Sequence, residues 1–221
     1  MLFGEVNRAT ARVLSAHGFE VTTAYGGCCG ALALHAGRRD AGLGLAQQAA
    51  EALAADGAEL IVTNTAGCGS HLKEAGLRLP VLDVSEVLGQ GHAPDRHPLP
   101  LRVAYQEACH LGHAQQVRAQ PRALLASIPG LELVEPAEQE LCCGSAGIYN
   151  LVQPDAAREL GDRKAANVLA IEPDVYASAN PGCLLQVSAA MRRRGRPLPA
   201  VHPIELADAS IRGVAIPRRG T

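Results

Sequence analysis

Tyr25-Gly26-Gly27-Cys28-Cys29-Gly30-Ala31 and Glu140-Leu141-Cys142-Cys143-Gly144-Ser145 carry one motif written twice in the same chain. Cys142 lies 114 residues after Cys28 (142 − 28), and Cys143 lies 114 after Cys29 (143 − 29). Cys183 follows Cys68 by 115 (183 − 68), and Thr63-Asn64-Thr65-Ala66-Gly67-Cys68 is echoed by Ser178-Ala179-Asn180-Pro181-Gly182-Cys183. Upstream, Ala11-Arg12-Val13-Leu14 is echoed by Arg122-Ala123-Leu124-Leu125. Solenoid repeats run about 20–50 residues. A period this long therefore points to two domains of one design.

The apolar runs Glu20–Ala24, Leu60–Thr63, Leu101–Tyr105, Leu131–Val134 and Val175–Ala179 suit short buried strands. Between and around them lie helix-length stretches at Thr10–Ala16, Ala31–Ala55, Ala114–Ser127, Pro154–Ala170 and Leu184–Arg194. Strands separated by helices imply βα units. The expected fold class is α/β, with two tandem repeated domains, each a small mostly parallel sheet with flanking helices. The first repeat is expected over residues 1–90 and the second over 101–221. Gly89, Gly91, Pro94, Pro98 and Pro100 mark 91–100 as a linker.

On this map Cys28, Cys29, Cys68, Cys109, Cys142, Cys143 and Cys183, all the cysteines of the chain, fall beyond the carboxyl ends of strands. Open α/β sheets bind ligands at that edge. Several also open a helix, where free N–H groups and the dipole favour a thiolate. Adjacent cysteines make a strained disulfide, so a repeated Cys-Cys pair suggests two thiolates aimed into one site, as iron–sulfur chemistry requires. Two plainer readings exist. Free cysteine packs well as a small hydrophobe. A structural zinc is the other, although zinc sites draw on closely spaced Cys-x₂₋₄-Cys pairs more than on neighbours.

Composition removes other classes. The formal net charge is −2, aromatic residues are 3 % and tryptophan is absent, which disfavours a nucleic-acid surface. No apolar run approaches the ~20 residues of a membrane span, so membrane association is expected to be peripheral at most. Met1-Leu2-Phe3-Gly4-Glu5 has no signal-peptide core. Free cysteines in this number suit a reducing, cytoplasmic compartment. Arg192-Arg193-Arg194 is expected to cap a helix C-terminus, with docking of an acidic partner as the rival role. Gly144-Ser145-Ala146-Gly147 matches neither nucleotide-binding glycine pattern and suits N–H groups offered to sulfide. No catalytic acid–base set stands out.

Gly27-Cys28-Cys29-Gly30-Ala31, Ala66-Gly67-Cys68-Gly69, Leu141-Cys142-Cys143-Gly144-Ser145-Ala146-Gly147 and Ala179-Asn180-Pro181-Gly182-Cys183 resemble the cysteine-rich CCG domain family over nearly the whole chain. Within it, these stretches resemble the iron–sulfur subunits of glycolate oxidase. The resemblance implies an electron-transfer subunit that binds no small-molecule substrate directly. Its implied partners are FAD-binding flavoprotein subunits that oxidise a 2-hydroxy acid (glycolate to glyoxylate), with electrons passing on towards quinone. It also implies Cys109, Cys142, Cys143 and Cys183 as ligands of a [4Fe-4S] cluster in the second repeat. Cys28, Cys29 and Cys68 form a three-thiol site in the first, with His71 the candidate fourth ligand.

The sequence departs from the family pattern in two places. The leading cysteine of the first repeat, the counterpart of Cys109, would fall before Met1, which raises the expectation that the chain starts late. The trailing motif of the heterodisulfide reductase branch is Cys-x-x-Cys. Here it reads Cys68-Gly69-Ser70-His71 and Cys183-Leu184-Leu185-Gln186. A thiol–disulfide redox enzyme and a metal-free scaffolding module stay open as alternatives, the first weakened by those absent cysteines.

Overall fold

The computed structural model describes residues 3–54, 57–89 and 93–216. Residues 91 and 92 of the expected linker, residue 90 at the end of the expected first repeat, and Ala55 of the expected second helix lie outside them. The protein is α/β, with small parallel sheets flanked by helices. In the first half, α1 (Gly4–Ala16), α2 (Ala31–His35) and α3 (Arg39–Leu53) precede β1 (Ile61–Thr63), α4 (Ala66–Glu74), β2 (Val81–Asp83) and α5 (Val84–Leu88). The second half begins with β3 (Arg102–Tyr105), a π-helical turn at His110–Ala114, α6 (Ala119–Ala126), β4 (Glu132–Val134) and α7 (Tyr149–Val152). It ends with α8 (Pro154–Ala170), β5 (Val175–Ala177), α9 (Pro181–Arg193), β6 (Ala200–Val201) and α10 (Pro203–Arg212).

The second half holds a four-stranded sheet in the order β4-β3-β5-β6, every pair parallel. Central β3 and β5 are nearly all buried, as Val103, Ala104, Tyr105, Val175, Tyr176 and Ala177 require. Among the described residues the first half holds only β1 and β2, paired in parallel from Ile61–Val81 to Thr63–Asp83. Glu20–Ala24 is not a strand. In the second half the matching strand, β4, pairs with β3. Among the described residues the first half has no counterpart of β3, so Glu20–Ala24 has no ladder to join and residues 22–24 lie exposed.

Two expected helices are broken. Ala31–Ala55 splits into α2 and α3 around Gly37, whose φ of 76° lies in the left-handed region. Ala114–Ser127 is shortened to α6, with Ala114 ending the π turn and residues 115–118 outside any helix. Pro154 and Pro181 sit in the first turns of α8 and α9, where a missing N–H costs nothing. Asp83 and His202 open α5 and α10 with matching capping boxes, closed by Glu86 and Glu205.

The halves are packed reciprocally: α1 lies on α10, and α6 lies on α5. One core joins Val6, Ala9, Val13 and Leu14 to Val84, Val87, Leu124, Ile204 and Ala207. Arg12 grips Asp208 with both arms of its guanidinium, Nε–Oδ1 at 2.8 Å and Nη2–Oδ2 at 2.6 Å. Residues 93–100 carry no helix or strand; His97 exchanges hydrogen bonds with Ser210 at 2.8 and 2.7 Å. Arg192 and Arg193 fill the last turn of α9, and Arg193 is bound to Asp162 of α8 at 2.6 Å.

Candidate metal centre

Each Cys-Cys-Gly triplet folds the same way. The N–H of Gly30 donates to Cys28 Sγ at 3.4 Å, and that of Gly144 donates to Cys142 Sγ at 3.4 Å. Both glycines are left-handed, with φ of 85° and 88°. A Cβ on Gly30 would run into the carbonyl oxygen of Gly42 on α3, and one on Gly144 into that of Ala157 on α8. Only glycine lets the triplet lie against the next helix while its N–H turns to sulfur. The third cysteines also match. Cys68 and Cys183 are the third residues of α4 and α9, each preceded by glycine, where free N–H groups favour a thiolate.

In the second half four thiols meet. Cys109 follows β3 at the start of the π turn, Cys142 and Cys143 follow β4, and Cys183 follows β5. The Cys143 thiol donates to Cys183 Sγ at 3.2 Å. Cys142 is held down to about 2, first by a hydrogen bond from Cys109, then by one from Cys143, with the Gly144 N–H adding to both. Cys183 is also lowered, by Cys143 first and then by Asn180, whose Nδ2 lies 3.5 Å from its sulfur. The donors Cys109 and Cys143 are pushed up by those same contacts and by burial. Tyr176, fully buried, closes the apolar side, bonding Gln106 at 2.5 Å.

The first half has a smaller set. Cys29 is lowered to about 6 by a hydrogen bond from Cys68, aided by the Ala31 N–H and the charge of His71. Cys68 rises correspondingly. Cys28 is exposed. Cys68 follows β1 as expected, at the start of α4, whereas Cys28 and Cys29 do not follow a strand, because Glu20–Ala24 forms none; the glycine turn before α2, resting on α3, holds them.

His71 is tied to the neighbouring helix through one ring nitrogen. It is buried, and its Nε2 meets the Gly42 carbonyl at 3.1 Å. At the matching place on α9, Gln186 Nε2 donates to the Ala157 carbonyl at 2.8 Å. The two side chains are equivalents, 115 apart (186 − 71), and each ties a cysteine-bearing helix to the helix behind the triplet.

The two sites stand side by side. The His35 ring on α2 meets the His110 ring edge-on, with centroids 5.0 Å apart. His35 also covers Gly147, where a Cβ would strike its ring. Ala66 N–H donates to Ala179 O at 3.2 Å, and Gln115 Nε2 donates to Ala66 O at 2.9 Å. His110 lies 3.6 Å from Cys109 Sγ through Nδ1. Sequence reasoning missed His35 and Gln115, which have no motif of their own, and it quoted Asn180 within the Cys183 motif without giving it a role. It also missed Glu107, whose buried carboxylate binds Arg118 at 2.9 Å and Arg122 at 2.7 Å. That carboxylate fills the space a Gly112 side chain would need and so fixes the turn bearing Cys109.

Among the described residues no three Cys, His, Asp or Glu side chains are grouped to hold a single metal ion. Four sulfurs drawn from three loops fit the donor count of a [4Fe-4S] cluster, one thiolate per iron. Two of the four are already driven towards thiolate, which suits that use. No described helix is long and apolar enough to cross a membrane.

Known proteins share these features. The chain is 34% identical over 94% of its length to the probable glycolate oxidase iron-sulfur subunit of Bacillus subtilis, covering 51% of that protein. It is 37% identical over 86% of its length to a fumarate reductase (CoM/CoB) subunit of Methanothermobacter marburgensis, covering 40% of it. It is 32% identical over 93% of its length to the glycolate oxidase iron-sulfur subunit of Escherichia coli, covering 54% of it. The chain thus spans about half the length of these relatives or less. Residues 1–73 and 103–188 both match the cysteine-rich domain family, and with its paired Cys-Cys-Gly sites this chain belongs to that family, CCG.

Proposed function

We propose that the chain is an iron–sulfur electron-transfer component of a glycolate oxidase-type oxidoreductase. Its two tandem repeats are residues 1–90 and 101–221, joined by 91–100. Its cluster, of the [4Fe-4S] type, sits on Cys109, Cys142, Cys143 and Cys183. The observation that carries this reading is the meeting of those four thiols at the edge of the parallel sheet. Bound there, a cluster supplies one-electron chemistry at a potential set by hydrogen bonds and burial. The protein's own groups do the rest. Gly144 N–H and Asn180 Nδ2 donate to sulfur. Tyr176, Leu111 and Val187 keep water from the buried side.

FAD-binding flavoprotein subunits oxidising a 2-hydroxy acid, glycolate to glyoxylate, are the proposed electron donors, and quinone the proposed destination. The names of the glycolate oxidase relatives support this assignment. Thiol–disulfide catalysis fits less well, since His71 and Gln186 stand where that branch places its last cysteines and both are bound to helix carbonyls.

Anaerobic reconstitution tests the reading. A brown protein with equal iron and acid-labile sulfide, bleached by dithionite and recoloured on reoxidation, is the expected result. A colourless, iron-free protein after reconstitution would overturn it.

A further inference from the structure

The buried face of α8 runs through Ala157, Gly161, Lys164, Ala165 and Val168, and Lys164 is the one charged group in it. Its residue is 0 % exposed. The ammonium donates to the carbonyl of Glu138 and, at 3.1 Å, to that of Gln139, in the segment that leads to Cys142. The Glu138 carboxylate is turned to Arg163 and Asn167 instead. Among the described residues Lys164 makes no ion pair at contact distance. On the same face Ala165 and Val168 pack in one core with Cys143 and Cys183. Burial lowers the Lys164 pKa, and the cysteines of the site, with Glu138, push it back up. A buried cation without an adjacent carboxylate is costly unless other negative charge compensates it.

The first half has nothing like it. Gly42 and Ala157 occupy the same place behind the two triplets, 115 residues apart (157 − 42), and the same offset puts Ala49 opposite Lys164 (164 − 115). Ala49 is buried, and the backbone at Gly26 lies directly on it, a Cβ there falling 3.1 Å from the Ala49 carbonyl. In the second half the equivalent segment is held by the lysine.

We propose that Lys164 is a positioning residue of the second site, a buried fixed cation that raises the reduction potential of the group held by Cys109, Cys142, Cys143 and Cys183. The inference rests on the reading that this site holds an iron–sulfur cluster. A positive charge in a low-dielectric surround favours whichever state carries more negative charge, here the reduced one. The alternative is a structural tie, in which Lys164 only fixes the 138–139 backbone.

The test is a dithionite titration of the reconstituted full chain, monitored by EPR, in which one electron enters and no bond forms or breaks. Lys164→Gln and Lys164→Met are expected to disfavour reduction by about tenfold or more, which for one electron is about 59 mV downward. Lys164→Arg is expected to restore the wild-type value. Arg163→Gln, which removes an exposed charge one residue away, is expected to leave it unchanged. A wild-type potential in both neutral variants at equal iron content would overturn the proposal, as would an Arg variant that behaves like Gln. Thiolate absorbance at 240 nm in the metal-free chain gives an iron-independent reading. Fewer thiolates in Lys164→Gln and Lys164→Met than in wild type and Lys164→Arg supports the charge role, and equal numbers contradict it. Failure of wild type to take up iron would defeat the proposed function, and the thiolate comparison would still decide the role of Lys164.

Discussion

The two cysteine sites share a local plan and differ in what surrounds it. Glycine turns, sulfur-directed N–H groups, helix-start cysteines and the His71–Gln186 ties are common to both. The second site rests on a four-stranded sheet, has four thiols in contact and has a buried lysine behind it. The first rests on a two-stranded sheet, has three cysteines with one exposed, and has an alanine behind it. The difference teaches that the triplet turn forms with or without a strand before it, while the fourth thiol of the second site comes from the loop after β3, which has no counterpart among the described residues of the first half.

The largest expected effect breaks the comparison outright. Cys143→Ser removes the thiol that joins Cys142 to Cys183 and is expected to abolish iron uptake by the second site, read by iron and sulfide assay. Cys29→Ser is expected to leave most of the iron in place. Next come the glycines. Gly144→Ala and Gly30→Ala each force a Cβ against a helix carbonyl at positive φ, and each is expected to cost about 1–3 kcal/mol in a denaturant titration. Equal stability of both variants with wild type would mean that the triplet turn is not the rigid unit described.

A smaller effect separates the sites by pH. The lowered pKa of Cys29 keeps it a thiolate above about 6, so in metal-free protein its alkylation should level off above that pH and fall below it by about tenfold per unit. A rate still climbing towards the ordinary thiol range near ~8.5 would contradict the Cys68 contact. The smallest effect tests likeness. His71→Ala and Gln186→Ala each remove one hydrogen bond to a helix carbonyl and should cost similar amounts, about 1 kcal/mol.

Much of this was legible in the residues, and for identifiable reasons. Leu60–Thr63, Leu101–Tyr105, Leu131–Val134 and Val175–Ala179 are apolar enough to show as strands, and each contains one. Glu20–Ala24 looks the same in isolation, yet a strand exists only where a partner does. Val81–Asp83 and Ala200–Val201 are too short to stand out from their surroundings. The cysteines declared themselves by spacing. Lys164 left a fainter mark, a charged residue in the otherwise small and apolar stripe of α8. Residues that act through space, such as His35 against His110, leave no mark in a linear reading.

The central claim is that the second site alone provides a complete cluster seat. It is tested most directly by reconstituting two variants in parallel, one with Cys28, Cys29 and Cys68 changed to serine and one with Cys109, Cys142, Cys143 and Cys183 changed. Iron and sulfide are measured in each, with an EPR spectrum after dithionite. The expected result is about four iron and four sulfide with a reduced-cluster signal in the first variant, and none in the second. Iron lost with the first set, or retained without the second, would contradict the account.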